Sequence, residues 1–208
     1  MAKQTRQRIL DSALTMFNAL GEPNVTTNHI ADELEISPGN LYYHFRNKDD
    51  IIEQLFARFE ERMDNALSAP EGRLPGLEDI WLQLHLVFEC IWDYRFLHRD
   101  LVEILSRNRR LRLRFARILR RADERAHAVM RGLSQAGVMR ASKDELAATA
   151  TNVLVIATFW LNYAAARGDK DEHAAIRDGI VQVMMLLAPF LRDAERLHLN
   201  TLTRAYLD

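Results

Sequence analysis

Cysteine is almost absent from this sequence, since Cys90 is the only one among 208 residues. A single cysteine excludes an internal disulfide framework and a metal site built from several cysteines, and it fits a reducing compartment. The seven histidines show no metal-ligand spacing. We therefore predict that the protein uses no metal and no other cofactor.

The short motifs of common enzyme classes are also missing. The sequence contains no glycine-rich phosphate loop and no nucleophile elbow. Cys90 lies in the most apolar stretch of the chain, where a buried structural thiol is more common than a nucleophile. We predict that the protein is not an enzyme.

Neither an excess of one charge nor an apolar leader is present. The formal net charge is −1, so any charge signal must be local, and the polar first ten residues predict a cytoplasmic protein. Residues 147–166 carry no charge over about the span of a bilayer. Their threonines, asparagines and alanines make them weakly hydrophobic, so we expect no membrane span. A helix buried in a soluble core or an oligomer interface explains this run better.

Strand patterns are absent as well, because no apolar/polar alternation runs for more than a few residues. Helical periodicity recurs instead along the whole chain, which predicts an all-α fold. Prolines and glycines cluster at 68–76, which we interpret as the main loop. The predicted helix signals are Ser37 and Asn47 as N-caps of two successive helices, a capping box of Ser142 with Glu145, and a kink or break at Pro189.

Residues 27–45 have the pattern of a helix-turn-helix motif. Two short helices joined by the turn at 35–37 can cross steeply only if a small residue lies at the crossing, and Ala31 supplies it. Ile36 fills the turn. The residues expected to fill the wedge between the helices are Ile30, Leu34 and Leu41, and Phe45 is expected to face inward as well. Such a motif presents its second helix to the major groove of DNA.

The outward surface of that second helix explains why two tyrosines and a histidine follow one another. With Leu41 facing inward, Tyr42, Tyr43 and His44 cannot all do so, because consecutive helical residues point about 100° apart. Asn40 suits the edge of adenine, and tyrosine can reach phosphates or thymine methyl groups. Gly39 lets the backbone approach DNA closely.

Two segments carry a resemblance to a known family. The run TTNHIADELEISPGNLYYHFRNKDDIIEQLF, from Thr26 to Phe56, together with RQRILDSALTMFNALG before it, resembles the DNA-binding region of the TetR family of bacterial transcriptional regulators. The resemblance implies a three-helix DNA-binding head at 1–47 and a helical body at 48–208. The body would bind a small effector and form a homodimer. The family usually has glycine where this chain has Glu35, so the turn should be strained if its φ is positive.

The resemblance assigns roles residue by residue. The residues that it places at DNA are Thr27, Asn28, Ser37, Pro38, Gly39, Asn40, Tyr42, Tyr43, His44 and Lys48. Lys48 is expected to clamp a phosphate. Residues 1–48 hold five basic and five acidic side chains, so a single head should bind DNA weakly. This favours a dimer on a palindromic operator with half-sites about 34 Å apart.

The body should contain an apolar effector cavity with a few polar groups. The candidate lining residues are Trp81, His85, Phe88, Trp92, Phe159, Trp160, Tyr163 and Met184. The alternative for each of them is a plain core position. The candidate dimer contacts lie in the last two helical regions, where small alanines permit close approach. They are Val153, Leu154, Ala157, Leu161, Val183 and Leu187. The predicted function is a repressor that such an effector releases from its operator.

The strongest local charge lies in the body, where residues 95–131 hold twelve arginines. Five of them form one helical stripe, which consists of Arg107, Arg110, Arg114, Arg117 and Arg121. Three interpretations remain open: a face paired with acids on adjacent helices, a patch that binds an acidic effector or supports DNA approach, and a nucleic-acid-binding helix. The third gives the alternative function, an RNA-binding or protein-interaction protein that uses the 107–121 helix.

Overall fold

The computed structural model describes residues 2–68, 73–168 and 171–207, and it is helical along nearly all of them. The α-helices in these ranges are α1 (Ala2–Leu20), α2 (Thr27–Glu33), α3 (Pro38–His44), α4 (Lys48–Ala66), α5 (Leu77–Asp93), α6 (Arg95–Arg99), α7 (Leu101–Arg107), α8 (Arg109–Gln135), α9 (Lys143–Arg167), α10 (Glu172–Leu187) and α11 (Asp193–Leu207). Strand pairing in the same ranges amounts to one isolated bridge, between Met139 and Leu191. The predicted all-α class is confirmed.

The predicted helix signals act where the sequence placed them. The Ser37 hydroxyl accepts the Asn40 N–H at 3.2 Å, and the Asn47 side-chain oxygen accepts the Asp50 N–H at 2.8 Å. Ser142 and Glu145 form the expected capping box at the start of α9. Pro189 lies in a 3₁₀ turn that separates α10 from α11. Of the predicted loop, 69–72 lie outside the described residues, and 73–76 are not helical.

The turn of the helix-turn-helix contains the strain that the sequence predicted. Glu35 has φ 53°, and it is the one non-glycine residue with positive φ in the described ranges. The turn is closed by the Ile36 N–H, which donates to the Ala31 carbonyl at 3.0 Å. A side chain in this left-handed region costs about 1–2 kcal/mol relative to glycine.

The chain divides into two compact units, which are Met1–Arg62 with Asp93–Arg114 and Met63–Trp92 with Phe115–Asp208. The first unit therefore contains the predicted head together with most of α4, and with α6 and α7. A division of function at 47/48 stays a prediction, since the compact units describe packing alone.

In the first unit, α6 and the residue Asp93 before it hold the end of α1. The Asn18 side chain donates to the Asp93 carbonyl at 2.8 Å and accepts the Phe96 N–H at 3.1 Å. The Phe17 and Phe96 rings pack 5.2 Å apart between centroids. One helix was expected near 97–106, but Asp100 separates α6 from α7, and its carboxylate accepts the Glu22 N–H at 2.9 Å.

In the second unit, α9 packs on α10 around Gly179. The Trp160 indole N–H donates to the Ala175 carbonyl at 2.5 Å. A Cβ on Gly179 would lie 2.6 Å from Phe88 Cε1 and 2.7 Å from Trp160 Cδ1. The absence of a side chain at position 179 is therefore what lets these two rings enter the core of this unit.

The arginine stripe is largely paired with acids. In the first unit Arg110 contacts Glu53 at 3.1 Å, and Arg114 contacts Glu60 at 2.6 Å. In the second unit Arg121 contacts Asp64 at 2.6 Å. Arg107 contacts Glu22 at 2.7 Å. The paired-face interpretation is confirmed for these four arginines, and the stripe is not a free basic surface for RNA.

The strain at position 35 gives a first prediction. Glu35→Gly should raise the free energy of unfolding by about 1 kcal/mol, because glycine adopts positive φ without a Cβ clash. Glu35→Ala is the matched control: it removes the same carboxylate but keeps the Cβ. Chemical denaturation of both variants measures the effect, and an equal gain from alanine would contradict the backbone explanation.

The packing at Gly179 gives a second prediction. Gly179→Ala should destabilise the protein by about 1–3 kcal/mol through overpacking, an effect that outweighs the roughly 1 kcal/mol gained in helix propensity. Gly39→Ala serves as a control, because a Cβ there has Ser37 Oγ as its nearest neighbour, at 3.9 Å. Thermal unfolding should separate the two variants, and equal melting temperatures would show that α9 and α10 adapt freely.

Candidate nucleic-acid interface

Helix α3 is anchored by two buried side chains, and most of its other residues are exposed. Leu41 and Phe45 are 0% and 2% exposed, whereas Tyr43 is 80% exposed. Ile30 and Ala31 of α2 are fully buried beneath it, and the Arg6 guanidinium lies over the Phe45 ring, 4.9 Å from its centroid. The wedge expected from the sequence is present, with Leu34 and Ile36 partly buried at its edge.

The predicted DNA-facing residues of α2 and α3 lie on an exposed surface. The Thr27 and Tyr42 hydroxyls are 3.0 Å apart in a hydrogen bond that ties the two helices together. The Tyr43 and His44 rings meet edge to face at 5.1 Å. The exposed members of the predicted set are Asn28, Ser37, Pro38, Gly39, Asn40, Tyr42 and Tyr43, and the partly buried members are Thr27 and His44.

Two residues that the sequence did not single out also lie in this motif. Arg46 is exposed directly after Phe45, and its backbone N–H donates to the Asp50 carboxylate at 3.0 Å. His29 closes a capping box: its N–H donates to the Thr26 hydroxyl, and its Nδ1 accepts the Thr26 N–H at 3.4 Å. Histidine is not a usual capping-box residue, so the sequence pattern does not predict this cap.

Lys48 requires a correction, because its ammonium group does not face outward. Lys48 Nζ donates to the Glu22 carbonyl at 3.0 Å and to the Val25 carbonyl at 2.9 Å, and it lies 2.7 Å from Glu22 Oε1. An ammonium has three N–H donors. Since three protein oxygens surround it, the Lys48 side chain has no donor left for a phosphate in this structure.

Lys48 points inward because the carboxylate of Glu22 lies there and is 0% exposed. A buried carboxylate needs a compensating cation, and Glu22 Oε1 has two, because Arg107 Nη2 also lies 2.7 Å away. Burial acts to lower the pKa of Arg107, but the contact with Glu22 raises it overall, so the guanidinium stays charged. Glu22 is thus a structural anchor that the charge count of the sequence did not reveal.

The candidate effector residues do not share one environment. Phe88 and Met184 belong to the buried core of the second unit, and Trp81 and Trp160 pack against that core. Trp81 stacks on His85, and Trp92 lies against His173. Phe159 and Tyr163 are 45% and 53% exposed. The prediction that these two residues lie in the interior of the protomer was wrong. They follow Val155, which is 53% exposed, by one and two turns of α9 and so share its exposed side.

The candidate dimer residues also divide. Val153, Leu154, Ala157 and Leu161 are partly buried on α9. Val183 and Leu187 are 1% and 2% exposed within the protomer, so they have no surface left for a partner, and their assignment to the interface is corrected. Met185 of α10 is 44% exposed and Val155 of α9 is 53% exposed. The expected burial of the uncharged run is therefore incomplete in a single chain.

Helix α9 is long and apolar enough to cross a membrane by length and composition. Within the protein, 28% of its most apolar 18-residue window is buried. One such helix is weak evidence for a membrane span. Its contacts with α10 through Trp160 and its alanine-rich sequence fit a helix of a water-soluble bundle.

Comparison with known families matches almost the whole chain. A family model described as "Bacterial regulatory proteins, tetR family" matches residues 9–55. A second, described as "Bacterial transcriptional repressor", matches residues 58–199. The first covers α2 and α3, and the second covers the helices from the middle of α4 into α11.

Solved structures agree with this match. A TetR-family transcriptional regulator from Marinobacter aquaeolei VT8 is 39% identical, with 97% of this chain and 98% of that chain covered and a TM-score of 0.89. SmeT in its complex with triclosan is 22% identical over 92% of this chain and 94% of its own, with a TM-score of 0.61, and it supports the fold alone.

Curated relatives match over shorter stretches. The regulator TtgW of Pseudomonas putida is 41% identical over 56 residues, which are 27% of this chain and 42% of TtgW. The repressor KstR2 of Mycolicibacterium smegmatis is 36% identical over 80 residues, which are 35% of this chain and 38% of KstR2. The chain thus spans about two fifths of the length of these relatives. The two family models and the full-length structural match together show that the chain belongs to the TetR family of bacterial transcriptional regulators.

Proposed function

We propose that the protein is a transcriptional repressor that binds double-stranded DNA through α3. The observation that carries this proposal is the surface of α3, where an almost fully exposed Tyr43 follows a fully buried Leu41. Tyr43 is too exposed to have a packing role in the core of the head. Its shape and polarity suit the major groove.

The recognition chemistry follows from the groups at this surface. Asn40 can donate to and accept from an adenine edge. The Tyr42 hydroxyl is oriented by Thr27 and can donate to a phosphate, while Tyr43 has a free ring face for thymine methyl groups. Arg46 replaces the Lys48 side chain as the nearest exposed cation for a phosphate.

The repressor is proposed to act as a homodimer in the cytoplasm, on a palindromic operator. The support is the outer ridge of α9, which we define as Val155, Phe159 and Tyr163, together with Met185 of α10. Each of these side chains is between 44% and 53% exposed in the protomer. An exposed apolar ridge of this kind, beside the uncharged run of α9, fits pairing with its symmetry mate.

The ligand that relieves repression is proposed to be small and largely apolar. The support is the aromatic content of the second unit, where Phe88 and Trp160 meet at Gly179 and Trp81 packs against the same core. SmeT, which shares the fold, has a structure in complex with triclosan. Such a ligand acts only to the extent that it binds the DNA-incompetent conformation more tightly than the competent one.

DNA recognition by α3 is tested with the exposed tyrosine. Tyr43→Ala should weaken binding to a duplex from upstream of the protein's own coding sequence by about fivefold to 150-fold, because one good base contact contributes roughly 1–3 kcal/mol. Folding should be unaffected. Leu197→Ala, at a 70% exposed position of α11, is the control. Fluorescence anisotropy at fixed salt measures both, and wild-type protein that binds no DNA at any salt would end the proposal.

The dimer is tested by placing a charge on the ridge. Val155→Asp should convert the protein to monomers, since an unpaired buried carboxylate opposes association. Val102→Asp makes the same change at a 74% exposed position of α7 and should leave the mass unchanged. Sedimentation velocity over a range of concentrations decides the matter. A dimer that survives Val155→Asp would place the interface elsewhere.

A further inference from the structure

Two arginines at the start of α8 do not belong to the arginine stripe. Arg109 and Arg112 are exposed, and within the described parts of the chain neither guanidinium has an ion pair or a hydrogen bond. Their neighbours Arg107, Arg110 and Arg114 all contact carboxylates. Arg109 and Arg112 are three positions apart, so they lie on one face of the helix.

The charge of the first unit is divided unevenly. Residues 1–62, which include the recognition helix, hold seven basic and ten acidic side chains. Residues 93–114 hold seven basic and three acidic side chains. Residues 93–114 therefore offset the acidic excess of 1–62, and the unit as a whole holds 14 basic and 13 acidic side chains. The part of the unit with an excess of basic side chains is 93–114, and phosphate contacts depend on such charge.

The start of α8 lies beside the start of α4, the helix that follows the recognition helix in the chain. Arg110 contacts Glu53 at 3.1 Å, and the Asn108 side chain donates to the same carboxylate at 3.3 Å. Arg107 lies 3.6 Å from Asp49, the second residue of α4. Glu53 is five residues after Lys48, which is roughly 8 Å along a helix. The start of α8 therefore lies beside the first two turns of α4, the helix that directly follows α3 in the chain.

We propose that Arg109 and Arg112 form a second, sequence-independent contact with DNA, directed at backbone phosphates that flank the half-site read by α3. The inference rests on the proposed function, because it needs DNA to be the partner. Arginine is suited to the role, since its planar guanidinium binds phosphate with two parallel hydrogen bonds. These two arginines can do so without first breaking an ion pair.

The test uses the full-length protein and two matched double variants. One variant is Arg109→Ala with Arg112→Ala. The control is Arg120→Ala with Arg131→Ala, which removes the same charge from exposed positions further along the same helix. Binding of the upstream duplex, and of a random duplex of equal length, is measured from about 50 mM to about 200 mM salt, a range over which phosphate contacts dominate the change in affinity.

The Arg109/Arg112 variant should bind both duplexes more weakly at low salt and approach wild-type affinity at high salt. Its plot of log affinity against log salt should be shallower by about 0.9 for each phosphate that the variant no longer neutralises, which is about a threefold to fourfold effect per phosphate over that range. The control should keep the wild-type slope. Equal slopes for all three proteins would overturn the proposal. Equal weakening of both variants would also overturn it, because net charge alone would then explain the effect.

The outcome also separates this inference from the proposed function. If wild-type protein binds its duplex and the Arg109/Arg112 variant binds it identically, DNA recognition by α3 stands and the second contact fails. If wild-type protein binds neither duplex at any salt concentration, the proposed function itself fails. Unfolding temperatures equal to wild type exclude misfolding, as expected for arginines without ion pairs.

Discussion

The recognition helix has seven residues, and a helix of that length does not hold its shape in water by itself. Its stability must come from the residues beneath it. Leu41 and Phe45 provide this by burial, the Ser37 hydroxyl accepts the Asn40 N–H of the first turn, and Pro38 fixes the first helical φ. The exposed Asn40 and Tyr43 side chains are therefore not needed to anchor the helix. The polar surface can serve recognition because two side chains anchor the helix.

The need to support a short helix from outside also explains the strained turn at Glu35 and the buried carboxylate of Glu22. A short crossing needs a left-handed residue, and here Glu35 takes that conformation at a cost of about 1–2 kcal/mol. Glu22 precedes the motif and is fully buried, but Lys48 and Arg107 both neutralise it. These contacts join the segment before α2 to the first residue of α4 and to the last of α7. They fix the ends between which α2 and α3 are held.

Many features of the fold could be predicted from the sequence, because they depend on interactions between neighbouring residues. Caps at Ser37 and Ser142, the break at Pro189 and the strain at Glu35 depend on residues a few positions apart, so the sequence contains the whole interaction. The rotation of α9 could not be predicted. Its residues from 146 to 166 include no charged side chain, so no polar face marks which ridge is outside, and Phe159 was assigned inward. The position of Lys48 depends on a carboxylate 26 residues earlier, which helical periodicity cannot reveal.

The acidic excess of residues 1–62 bears on how repression could be relieved. If one such head binds DNA at about 10⁻⁵ M, within the range of non-specific contacts, two heads at an effective concentration of about 10⁻³ M bind at about 10⁻⁷ M. An effector that only changes the spacing of the heads removes this hundredfold gain. The corresponding free energy is about 2.7 kcal/mol, which lies within the usual range of coupling between sites. Weak individual heads therefore make the operator complex sensitive to a ligand that never touches α3.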